Sequence, residues 1–152
     1  AASDLRFILA MLKINTDLER IADLATSIAK ETLRISGTPL IKPLIDIPRM
    51  SEIAVEMIKT SFASMTEKDV EKAKSVIEMD SQIDDLNIQV YRELFTYMSE
   101  SPKNLSQGFS LISAAKSLER IGDHAKNIAE RAVYYILGED IRHQKHRDDI
   151  RL

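Results

Sequence analysis

The chain has 152 residues, 44 % hydrophobic and 30 % charged, with a net charge of -3 and no cysteine; that balance suits one soluble globular domain with a buried core and excludes disulfides and thiolate metal ligands. The acidic net charge and the lack of a basic run argue against nucleic acid as a partner. The longest apolar stretch, residues 7–12, falls far short of the roughly 20 residues of a membrane span, and no signal-peptide pattern opens the chain, so a cytoplasmic location is expected.

An amphipathic pattern begins at once. Met11, Ile14, Leu18, Ile21, Ala25 and Ile28 recur at alternating steps of three and four, which predicts a helix over 4–36 with Ser3 as its N-cap. Gly37 and the prolines at 39, 43 and 48 end it and make 38–47 an extended connector. A second helix is predicted from Pro48 to about residue 65, with Ile53, Met57, Ser61, Phe62 and Met65 inward and Met50, Met57 and Met65 as core filler. Thr66 is the expected cap of a third helix, 67–99, with Asp69 three residues on. Its seam reads Ala73, Ile77, Asp80, Asp84, Asn87, Tyr91, Leu94 and Met98, beside a parallel stripe of Val76, Ile83 and Val90 that offers an alternative core face. Pro102 opens a fourth helix, to Gly138, with the stripe Leu111, Ala114, Leu118, Ile121, Ala125 and Ile128. Ala115 and Gly122 beside it are small enough for another helix to approach closely. The charged tail 139–152 lacks periodicity, and His143 and His146 in it read as surface histidines.

The first and fourth helices share a motif. Leu18-Glu19-Arg20-Ile21-Ala22-Asp23 returns 100 residues on as Leu118-Glu119-Arg120-Ile121-Gly122-Asp123, followed in both copies by Ala, Ile and Ala in register. Glu19 and Asp23, Asp80 and Asp84, and Glu119 and Asp123 are each four apart, so each pair stacks on one helix face and repels unless compensated. Short loops make sequence neighbours antiparallel, which would set the third helix's aspartates against Glu119 and Asp123. Four converging carboxylates bind a cation, take up protons, or sit in a wet groove with Arg and Lys. All-oxygen ligands suit magnesium, manganese, calcium or iron, and zinc less well without a placed histidine. A solvated face salted by Arg20 or Arg120 is the competing reading. No nucleophile triad, phosphate loop or nucleotide fingerprint is present, so an enzyme is not indicated.

The residues from Ser3-Asp4-Leu5-Arg6 through Asp17-Leu18-Glu19-Arg20-Ile21-Ala22-Asp23, the stretch Ser117-Leu118-Glu119-Arg120-Ile121-Gly122-Asp123-His124-Ala125-Lys126-Asn127-Ile128, and the ending Tyr134-Tyr135-Ile136-Leu137-Gly138-Glu139-Asp140-Ile141-Arg142-His143 resemble the PhoU family, the phosphate-signalling and phosphate-transport accessory proteins of bacteria. The resemblance implies an all-α fold, an antiparallel PhoU-like bundle built from two three-helix repeats. Residues 1–37 would be the last helix of the first repeat, 38–47 the connector, 48–138 the complete second repeat, and 139–152 the tail; the family pattern has two further helices ahead of Asp4. Without them the first helix is expected to pack on the second-repeat helices or on another copy. In some members the acidic motifs bind multinuclear metal clusters, which implies metal roles for Glu119, Asp123, Asp80 and Asp84, and for Glu19 and Asp23. The first copy fits less well, having Ala22, Leu24 and Ser27 in place of Gly122, His124 and Asn127. The implied function is non-catalytic and cytoplasmic: negative modulation of the phosphate regulon as a homodimer peripheral to the membrane complex, between the importer ATPase, PstB, and the sensor kinase, PhoR. A metal-buffering helical protein, or a PhoU-like domain of a sodium-phosphate transporter, is the alternative.

Overall fold

The computed structural model describes residues 2–138, which form four long helices and no strand: α1 Ala2–Ile35, α2 Asp46–Glu67, α3 Val70–Glu100 and α4 Leu105–Leu137, with a 3-10 turn, Pro102–Asn104, leading into α4. The tail and its histidines lie outside the described residues. None of these helices is long and apolar enough to cross a membrane.

Local chemistry accounts for the ends. α1 stops where Gly37 takes φ +81° and the Thr38 hydroxyl donates to the Ile35 carbonyl at 2.7 Å. Its first described turn already contains Ser3, so that serine does not cap it. Between α2 and α3, Lys68 adopts the left-handed region at φ 54° and closes α2. Thr66 is therefore still inside α2, its hydroxyl donating back to Phe62 and Ala63 at 3.2 Å, and the cap of α3 is Asp69, which accepts from the Glu71 and Lys72 amides at 3.0 and 3.2 Å. The proline-rich connector is tied down by Gln107 of α4. That side chain accepts from the Ile41 amide at 2.6 Å and donates to the Pro39 carbonyl at 3.0 Å and the Thr38 hydroxyl at 3.2 Å.

α4 is the hub, packing against α1, α2 and α3, while α2 and α3 also pack on each other. Its predicted stripe, Leu111 through Ile128, is buried throughout, and Met50, Met57 and Met65 sit in the core as filler. On α3 the alternative stripe wins: Val76, Ile83 and Val90 are fully buried, with Ala73, Asp80, Asn87 and Leu94 alongside, while Tyr91 faces out. α1 lies antiparallel on α4, with Arg6 beside Gly138 and the Phe7 ring 5.4 Å from that of Tyr135. Its buried line is Ala10, Ile14, Asp17 and Leu24, flanked by Ile21 and Ile28, so Met11, Leu18 and Ala25 turn outward instead of inward. The apolar residues Leu5, Ile8 and Leu12 are 58, 55 and 64 % exposed on the same helix.

Candidate acidic site on α3 and α4

Gly122 sets how closely α3 and α4 approach. A Cβ there would stand 3.3 Å from Ile83 Cγ2, so only glycine lets the helices meet without pushing the isoleucine aside. One turn either side of this contact, α4 presents Glu119 and Lys126 and, at the solvent edge, Asp123; α3 presents Asp80 and Asp84.

Asp80 is 4 % exposed. Its Oδ2 accepts from Lys126 Nζ at 2.5 Å, and its Oδ1 is buried with no hydrogen-bond partner. Glu119 is ion-paired through Oε2 to Lys116 Nζ at 2.7 Å, so this buried oxygen already faces a cation. The electrostatics show that these groups share one field. Partial burial, then the charges of Asp80, Glu119 and Asp123, raise the Asp84 carboxyl above the usual carboxylate range. Partial burial, then Glu119 and Asp80, do the same to Asp123 against the opposing pull of Lys126 and Lys116. Burial pulls the Lys126 ammonium down, but the hydrogen bond and charge of Asp80 outweigh it, and the net shift is upward. Contact with Glu119 raises Lys116.

Thus the structure brings Asp80, Asp84, Glu119 and Asp123 together, and the electrostatic partners of Asp84 and Asp123 all come from α3 and α4. Glu19 and Asp23 do not join them. Both lie on the exposed side of α1, where Arg20 Nη1 stands 4.0 Å from Asp23, with side chains 64 and 67 % exposed. Among the described residues no three carboxylate or histidine side chains are set to hold a metal ion as they stand. The donor chemistry nonetheless fits a hard cation: one orphaned buried oxygen, Asp80 Oδ1, and two carboxyls whose pKa is raised in each other's presence. Two lysines hold the positive side of this balance, and a cation entering the cluster would have to displace them.

A pH dependence follows. For Asp84 and Asp123 the folded state holds the proton more tightly than the unfolded chain, so stability contributed by these groups falls as pH rises from the unfolded value through the raised one. At neutral pH, without divalent cations, Asp84→Asn should therefore raise stability by about 0.5–1 kcal/mol, the relief of its i,i+4 repulsion and cross-helix repulsions. Melting at pH 4 and pH 7 checks it: the gain should shrink at the lower pH, and a loss at pH 7 would refute the account.

One polar centre escaped the sequence reading. Asp17 of α1, 4 % exposed, accepts from three side chains of α4: His124 Nδ1 at 2.9 Å, Asn127 Nδ2 at 3.3 Å and Arg131 Nε at 3.0 Å. An ionised carboxylate only accepts, so His124 carries its proton on Nδ1. The signal was present in the repeat, because His124 stands where the first copy has Leu24, and Asn127 where it has the shorter Ser27.

Comparison with known proteins agrees with this frame. The PhoU domain family model matches residues 1–32 and 47–132. Similar proteins include the phosphate-specific transport system accessory protein PhoU homologs of Deinococcus radiodurans, 36 % identical over 90 % of this chain and 64 % of that protein, and of Aquifex aeolicus, 43 % identical over 94 % and 65 %. The chain thus spans less than two thirds of the length of these relatives. Among solved structures, PhoU from Pseudomonas aeruginosa superposes with a TM-score of 0.87 at 35 % identity, covering 91 % of this chain and 67 % of that one. The phosphate transport system regulatory protein PhoU from Streptococcus pneumoniae gives 0.84 at 28 % identity over 91 % and 66 %. With the family model matching most of its length and relatives and structures agreeing along the same helices, the chain belongs to the PhoU family.

Proposed function

We propose that this chain acts in a phosphate-transport accessory protein, as a non-catalytic cytoplasmic adaptor between the importer ATPase and the sensor kinase of the phosphate regulon, with the α3–α4 carboxylates as a cation site. The observation that carries the cation site is the orphaned, buried Asp80 Oδ1 beside Asp84, Glu119 and Asp123. The accessory role is supported by relatives named for it. In this reading Asp80, Asp84, Glu119 and Asp123 would hold a hard cation such as Mn²⁺, Mg²⁺ or iron, which would supply the charge that Lys116 and Lys126 now supply and stiffen the α3–α4 face. No chemistry on a substrate is required of these residues. Self-association through the exposed α1 residues Leu5, Ile8 and Leu12 is part of the same reading.

The test is elemental analysis and calorimetric titration of the purified chain with Mn²⁺, Mg²⁺ and iron, beside a variant carrying Glu119→Gln and Asp123→Asn, with light scattering on the same samples. The expected result is stoichiometric binding with a melting-temperature rise of a few degrees, the scale of about 1–2 kcal/mol for a domain of this size, both absent in the variant. Equal binding by both proteins would reject the site. Failure of the metal-loaded chain to associate with the importer ATPase or the kinase would reject the adaptor role independently.

A further inference from the structure

The α1–α4 interface has a closed end and an open end, and the repeat relates them. At the closed end Asp17 meets His124, Asn127 and Arg131. The residues at the equivalent positions of the other copy, 100 places away, are Ser117, Leu24, Ser27 and Glu31. All four line a cavity of about 520 Å³ on the other side of the repeat's centre. Two antiparallel copies of one motif are related by a local two-fold, so the same junction occurs twice: once filled by a carboxylate and its three donors, once left hollow because serine is too short to fill it.

The hollow end is also where the charge changes sign. Its lining includes Lys30 and Arg34, four apart on α1, and Lys116 and Arg120, four apart on α4, against the single carboxylate of Glu31. Glu31 is taken up by Arg34 at 2.8 Å, and Lys116 by Glu119 at 2.7 Å. Among the described residues Lys30 and Arg120 have no ion pair, so on a chain of net charge -3 the fold has gathered cations from two helices around a cavity with spare positive charge. With Arg34 held by Glu31 and Lys116 by Glu119, the spare charge is the Lys30 ammonium and the planar Arg120 guanidinium, which together match the several oxygens of a phosphoryl group. Tyr91 and Phe109, 40 and 61 % exposed, add aromatic rings to the same lining. The volume lies within the range of about 300–1,000 Å³ for small-molecule sites and far exceeds what one inorganic phosphate fills.

We infer that this cavity binds a phosphorylated small molecule bearing a flat ring, its phosphoryl oxygens held by Lys30, Arg34, Lys116 and Arg120 and its ring resting on Tyr91 and Phe109. The inference does not depend on the cation site, but Lys116 connects the two: while Glu119 holds that ammonium, the cavity has less of it to offer, and neutralising Glu119 hands it over. Reciprocity requires that whatever binds Glu119 in place of Lys116 also strengthens the phosphate site.

Calorimetric titration of the chain with ATP, inorganic phosphate and adenosine, in a chelator to remove divalent metal, tests this. ATP should bind one per chain, at least about tenfold more tightly than inorganic phosphate, with affinity falling as salt rises. The double substitution Lys30→Gln, Arg120→Gln, at exposed positions, should weaken ATP about tenfold while helical circular dichroism and melting stay unchanged. Lys30→Gln alone, as a milder variant, should weaken it about threefold, and Glu119→Gln should tighten it about two- to fivefold. No binding of ATP or phosphate at millimolar concentration, or binding that the double substitution leaves unchanged, would overturn the inference. Phosphate binding as tightly as ATP would overturn the role of the rings and leave a free-anion site, and no gain in Glu119→Gln would overturn the connection through Lys116.

Discussion

Asp17→Ala should cost about 3 kcal/mol of folding stability, the largest loss expected from any single polar side chain in this fold. Asp17 is nearly inaccessible, and its carboxylate is the shared acceptor of His124, Asn127 and Arg131, of which the histidine and arginine side chains are 20 % exposed. Deleting it leaves three donors of α4, one of them permanently charged, facing a helix with nothing to offer them. The partial exposure of the donors lets some water in, which keeps the loss below that of a fully buried pair. Asp17→Asn keeps an acceptor for His124 and Asn127 but not the charge opposite Arg131, and should cost about half as much. Urea titrations with unchanged slope and a lower midpoint would report this directly. A loss under about 1 kcal/mol for the alanine would mean that the network is solvated and holds α1 in place no better than an ordinary surface pair.

Ile83→Ala should be costlier still, at about 3–4 kcal/mol, because Ile83 is completely buried and packs directly over Gly122 where α3 meets α4. The sharper result concerns its coupling to Gly122. Gly122→Ala gains about 1 kcal/mol of helix propensity but places a methyl 3.3 Å from Ile83 Cγ2 and 3.5 Å from Met57 Sδ, so the single substitution should be neutral or mildly destabilising. In the Ile83→Ala background the obstruction is gone, and the same change should recover about 1 kcal/mol. A double-mutant cycle therefore reads a coupling of about 1 kcal/mol or more; strict additivity would show that Ile83 does not limit the approach. Spreading α3 from α4 would also lengthen the reach from Lys126 to Asp80, so these core changes should disturb the acidic site without touching it.

The helices were legible because their apolar periods are long and their breaks carry Gly, Pro and Asp. What could not be read was rotation about the helix axis. On α1 the columns Ala10, Asp17, Leu24 and Met11, Leu18, Ala25 flank the same central line of Ile14, Ile21 and Ile28, and on hydrophobicity alone the second is the better inward choice. The first is buried because α4 supplies three donors for Asp17, information held more than 100 residues away. The carboxylates of α3 and α4 were placed together from helix order and spacing, and they do share a field. The two lysines that balance them, and the cavity between α1 and α4, depend on side-chain reach across helices and left no periodic trace. The cations of that cavity did have a local sign, the paired i,i+4 spacings at Lys30 and Arg34 and at Lys116 and Arg120, which reads in isolation as an ordinary solvated face.

The latch at Asp17 joins side chains 107 to 114 positions apart, whereas α2, α3 and α4 follow one another through breaks of a few residues. Closing the long loop costs conformational entropy before any of its contacts repay it, and the three consecutive helices can assemble without it. α1 is therefore expected to dock last, onto a surface already formed, and to leave first. The loss caused by Asp17→Ala then falls mainly on the unfolding rate, with folding nearly unchanged. In kinetic terms the buried carboxylate is less a part of the foundation than the bolt that slows the departure of the first helix.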